Sequence, residues 1–127
     1  MRELKETIIA QEITDKEVDI LIPTTDEIIN TLCSDEFGGR LVGSEGNKKA
    51  ENYIAEIFKD LNLEPLFDES YYQTYSQEIN ENNGLVGDSK GKYIEVNNIV
   101  GVIKGCDHTN AVVISAHFDH IGYIKMV

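Results

Sequence analysis

The sequence predicts an α/β fold. Two observations carry that expectation: helix signatures fill the first half of the chain, and strand signatures replace them beyond Tyr71. A third is the run Ala111-Val112-Val113-Ile114, apolar at consecutive positions. Such a run reads as a strand covered on both faces, in the middle of a sheet with helices on either side.

Taken in order, residues 1 to 22 form a poorly defined N-terminal segment. Leu4, Ile8 and Ile9 suggest a helical face, while Val18, Ile20 and Ile22 alternate as in a short strand. Thr24 with Glu27 three residues later is a capping-box pattern, in which each side chain satisfies the other's free backbone amide. Ile28, Ile29, Leu32 and Cys33 then make one apolar face, with Cys33 expected as a small core residue. This segment ends near Asp35 and the pair Gly38-Gly39.

Ser44 is a good N-cap for the strongest helix of the chain, with acidic Glu45 in its first turn. Ala50, Tyr53, Ile54, Ile57, Phe58 and Leu61 repeat at helical spacing. Asn62 suits a left-handed C-cap, and Pro65 blocks continuation. Residues 71 to 79 are rich in Tyr and Thr and read as a strand. Asn80 to Gly91, with three Asn and three Gly, reads as a polar loop. Asn98 to Lys104 gives a short strand, Gly105 to Asn110 a turn, and Ala111 to Phe118 the final strand.

At 127 residues the chain is expected to be a single domain, 1–127. Eleven basic against 23 acidic side chains leave a net charge of -12, which repels phosphates and anionic lipid and argues against nucleic-acid and membrane partners. The charged N-terminus does not resemble a signal peptide, and no apolar stretch is long enough to cross a bilayer. Cys33 and Cys106, far apart and without Cys-x-x-Cys spacing, fit reduced thiols of a cytoplasmic protein.

The final strand runs into His117-Phe118-Asp119-His120-Ile121-Gly122. Side chains two apart on an extended chain share a face, about 6.6 Å apart. His117 and Asp119 are thus expected together at the C-terminal end of a strand, where α/β sheets place ligand sites. A neutral imidazole binds zinc, and a carboxylate behind it fixes the ring and raises its basicity. The plain alternative is a buried, hydrogen-bonded His–Asp pair; His120 points the other way, and His108 reads as a solvated loop residue.

The segment Phe37-Gly38-Gly39-Arg40-Leu41-Val42-Gly43-Ser44-Glu45-Gly46-Asn47 resembles the Gly-Arg…Gly loop of the co-catalytic, di-zinc aminopeptidases, of the aminopeptidase Y and glutamate carboxypeptidase kind. The helix after it, Asn98-Ile99-Val100-Gly101-Val102-Ile103-Lys104-Gly105, and Ala111 to Gly122 with its His-x-Asp are similar to the family's next elements, in the same order. The resemblance implies a partial zinc-exopeptidase-like mixed sheet flanked by helices, truncated after the His-x-Asp strand. It makes His117 a ligand of one of two zinc ions and Asp119 the catalytic-site residue that orients it; the substrate would be a peptide. For the Gly-Arg loop a tight turn and helix cap is the expected role, rather than a catalytic one for Arg40.

The family's bridging Asp, Glu pair and later Asp and His have no counterpart before Val127, nine residues after Phe118. The chain alone is therefore expected to be inactive, an N-terminal fragment of an aminopeptidase. A half-covered sheet also predicts self-association through the exposed strand, as a dimer. Two other readings compete: a non-catalytic remnant or interaction protein with a peptidase-like half-fold, and a metallo-β-lactamase-like hydrolase. The second has Ser115 where its motif needs a first His.

Overall fold

The computed structural model describes residues 22–79, 91–107 and 109–122. The expectations for residues 1–21, for the polar loop over 80–90 and for His108 lie outside them. Within the described residues the chain is a mixed α/β arrangement of two α-helices, a short 3-10 segment and four strands.

Helix α1, Thr25–Leu32, begins with the expected capping box. The Glu27 amide donates to the Thr24 hydroxyl at 3.3 Å, and the Thr24 amide donates to Glu27 Oε2 at 2.7 Å. The Thr24 hydroxyl also donates to that Oε2, at 2.8 Å, and the two bonds received by the carboxylate, the one from the Thr24 amide foremost, hold it below its ordinary range. A depressed folded-state value means the contribution is present above the ordinary range and lost as pH falls through the depressed one. Thr24→Ala should cost about 1 kcal/mol of local helix stability. The readout is amide exchange, faster over 25–32 and unchanged over the second helix; unchanged exchange over 25–32 would mean the box contributes nothing. Acidifying the unaltered protein should loosen the same residues. No residue of α1 is buried, and Ile29 and Cys33 are exposed, so the expected core role of Cys33 is corrected. Among the described residues, the 3-10 segment Asp35–Arg40 packs on this eight-residue helix, too little to bury a whole face.

Helix α2, Glu45–Asp60, has Ser44 as its N-cap, accepting from the Asn47 amide at 3.2 Å. It stops as the sequence predicts. Asn62 takes a left-handed φ of 53°, its amide donates to the Lys59 carbonyl, and the Leu63 amide donates to that of Phe58. That pair of bonds is a Schellman closure. The deepest residues of α2 are Gly46, Asn47, Ala50, Glu51 and Ala55, while Tyr53, Ile54, Ile57, Phe58 and Leu61 are half-buried.

Strand β1, Glu64–Pro65, pairs antiparallel with β4, Gly101–Val102; β2, Tyr72–Glu78, pairs antiparallel with β3, Tyr93–Ile99. The expected strand over 71 to 79 is present. The strand expected from Asn98 to Lys104 instead splits at Val100, whose amide donates to the Tyr71 carbonyl. Helix α2 packs on β3, where Asn97 donates to Glu51 Oε2 at 2.7 Å. The small core is Phe37, Ala50, Ala55, Ile79 and Val96, extended by edge-to-face ring pairs Phe37–Tyr53 and Phe58–Tyr71.

Two expectations are corrected. The described strands form two separate two-stranded antiparallel sheets, not one mixed sheet. Ala111 to Phe118 is no strand and is not covered: Val112, Val113 and Ile114 are 90%, 85% and 94% exposed. β-propensity alone makes no strand, because an extended segment needs a partner for its amides and carbonyls. Among the described residues, neither sheet reaches this run.

Candidate functional site

The segment after the apolar run is tied down, and the tie comes from the Gly-Arg loop. Asp35–Arg40 is a 3-10 turn in which Gly38 and Gly39 have φ of 52° and 72°, a left-handed bend that glycine takes without strain. Arg40 follows at φ 56°, which costs a side chain something and needs compensation from its surroundings. The compensation is visible. Arg40 Nε donates to the Phe118 carbonyl at 2.7 Å, and Nη1 donates to the carbonyl of Leu32 at the end of α1. The Arg40 carbonyl in turn accepts from the His120 amide at 3.1 Å and from Asn47 Nδ2 at 3.5 Å.

Asn47 is buried in the first turn of α2, and its Oδ1 also accepts from the Gly43 amide. One buried amide thus joins the helix start to the loop that holds 118–120. Gly39 and Gly122 meet backbone to backbone: a Cβ on Gly39 would stand 2.7 Å from the Gly122 Cα. The expected tight turn and helix cap are both present.

On this anchored segment His117 and Asp119 are close. His117 Nδ1 lies 3.0 Å from the Asp119 backbone oxygen and 3.5 Å from its carboxylate Oδ1. Two oxygen acceptors on that side favour the tautomer with the proton on Nδ1, leaving the Nε2 lone pair for a metal or proton. The imidazole is 82% exposed and the carboxylate 45%, so the ring is presented outward rather than closed into apolar interior. His120 is exposed too, and its amide serves the tie to Arg40.

A ring with oxygen acceptors behind one nitrogen and the other nitrogen free has the donor chemistry that zinc uses. A catalytic zinc takes three protein ligands, however. Among the described residues no three His, Cys, Asp or Glu side chains gather. The described residues therefore fit one ligand's part of a zinc site, not a whole one. Elsewhere, the Asp107 carboxyl accepts from the hydroxyl and amide of Thr109, which hold it below its usual range and close the turn before the apolar run.

Sequence reasoning missed the link between Arg40 and Phe118, 78 residues apart. The available signal was that each of the two glycine-bearing motifs offers bare backbone to the other. Comparison with known proteins finds no match: no protein-family model, curated protein or solved structure resembles the chain significantly.

Proposed function

We infer that the chain contributes the first zinc-binding imidazole of a zinc-dependent aminopeptidase, with the remaining ligands supplied by polypeptide other than the described residues. The observation that supports this reading is the outward-facing His117, its Nδ1 turned to Asp119, on a segment bonded to the Gly-Arg loop. In the resemblance drawn from the sequence, those are two of the four motifs, and the His-x-Asp is the one that carries the chemistry.

Zinc bound in such a site supplies an activated water and polarises the scissile carbonyl. His117 would hold the metal through Nε2. Asp119 would keep the ring in one tautomer and orientation, through its backbone oxygen first and its carboxylate second. The substrate class is a peptide with a free N-terminus. Two further parts of the proposal are self-association through the exposed run 111–116 and a cytoplasmic setting, which the unpaired thiols of Cys33 and Cys106 suit. No described helix is long and apolar enough to cross a membrane.

The test is hydrolysis of an aminoacyl anilide by the natural gene product that carries this sequence. Activity should vanish after exhaustive chelation, return with zinc, and be lost in His117→Ala. Full activity in the metal-free protein would reject the reading. A His117→Ala variant that hydrolyses normally with zinc would remove the imidazole from the site.

A further inference from the structure

We propose that Arg40 is the positioning residue of the His117–Asp119 pair, a two-point latch that sets how the imidazole is presented. The guanidinium spans two carbonyls at once, that of Leu32 at the end of α1 and that of Phe118 between the two site residues. Its own carbonyl takes the amide of His120 on the far side of Asp119. Asp119 is thereby bracketed: the residue before it and the residue after it are both bonded to Arg40.

Among the described residues, no other residue bonds to both neighbours of Asp119. The run leading into the site, Ala111 to His117, is exposed throughout, so its apolar side chains give His117 no packing support. Fixation comes from the other side, through Arg40 and the Gly39–Gly122 contact. Gly122, at φ 73°, has room for no side chain either: a Cβ there would lie 2.9 Å from that of Leu41. The latch rests on α2, since Asn47 donates to the same Arg40 carbonyl and is only 3% exposed. An outward imidazole needs such fixation, because a ligand 1 Å out of place loses much of its use.

Lysine is a poor substitute. Its single ammonium reaches one of the two carbonyls, whereas the planar fork of arginine holds both.

The value of the latch to a metal site rests on the ligand reading of His117, so the experiment has two arms. In the first, hydrogen exchange and backbone relaxation are followed by NMR in the full chain, in Arg40→Ala, in Arg40→Lys and in Gly122→Ala. Exchange at the His120 amide should speed up roughly tenfold or more in all three variants, with helix 45–60 unchanged as the control on folding. Undiminished protection of His120 in both Arg40 variants would overturn the latch.

In the second arm, zinc chloride is added stepwise and the His117 ring Cε1–H signal is followed. It should shift at roughly tenfold lower zinc in the unaltered chain than in either Arg40 variant. Equal zinc response in all of them would remove the positioning role while leaving His117 a ligand. No response in the unaltered chain would remove the positioning role in zinc binding and leave the ligand reading to the hydrolysis assay, and the latch would then stand or fall on the exchange arm.

Discussion

Gly46→Ala should destabilise the protein by about 3 kcal/mol or more, although alanine is the better helix former. Two effects oppose each other here. Gly46 sits in the first turn of α2, where replacing glycine by alanine gains up to about 1 kcal/mol of propensity. The added Cβ, however, would lie 1.8 Å from the Phe37 carbonyl oxygen and 2.4 Å from its carbon. Both are backbone atoms, so no side chain can swing aside. The 3-10 turn has to move off the helix, taking Phe37 from its edge-to-face contact with Tyr53 and dragging the Arg40 anchor with it. Packing outweighs propensity. Five apolar side chains are buried among the described residues, and against so small a core such a loss is a large share of the total. Gly105→Ala is the control, since among the described residues nothing approaches its Cβ closer than 3.8 Å; it should change stability by less than about 0.5 kcal/mol. Urea unfolding at constant m-value measures both. A Gly46→Ala protein as stable as the parent would refute the close approach of turn and helix.

That contact also illustrates what a single sequence does and does not disclose. The box at Thr24 and Glu27, the cap at Ser44 and the stop at Asn62 were legible because each depends on residues three or four apart. Strand β2 was legible from its Tyr and Thr content. Strand β3 was placed too late, at Asn98, although Ile94 and Val96 alternate with Glu95 and Asn97 in the period of a half-buried strand. Pairing was not legible. The run 111–118 has every local mark of a strand, yet what completes a strand is a partner that no local pattern names. Cys33 failed similarly, because its burial depends on whether another element lies over α1. His117 and Asp119 do lie close, but not at the end of a strand as their spacing suggested, and their support was not legible, since Arg40 lies far away in the chain.

The same exposed run sets the second large effect. Thr109 to Ala116 carries no charge in a chain of net charge -12, and it contains no Gly or Pro. High β-propensity, low charge and free backbone groups make it the surface on which a second copy pairs most readily. The rest of the molecule opposes this, because two copies of like charge repel each other. Self-association is therefore expected to rise both with protein concentration and with salt, which screens the repulsion while leaving apolar burial in place. Val113→Lys should weaken it roughly 100-fold: each copy forfeits the burial of one valine, and two lysines face each other across the pair. Val113→Thr, which keeps β-propensity and adds no charge, should weaken it much less. Sedimentation equilibrium at low and high salt distinguishes the cases. A chain that stays monomeric at every concentration and salt would refute pairing between copies. Association that weakens with added salt would mean that charged faces, not the strand-like run, hold the copies together.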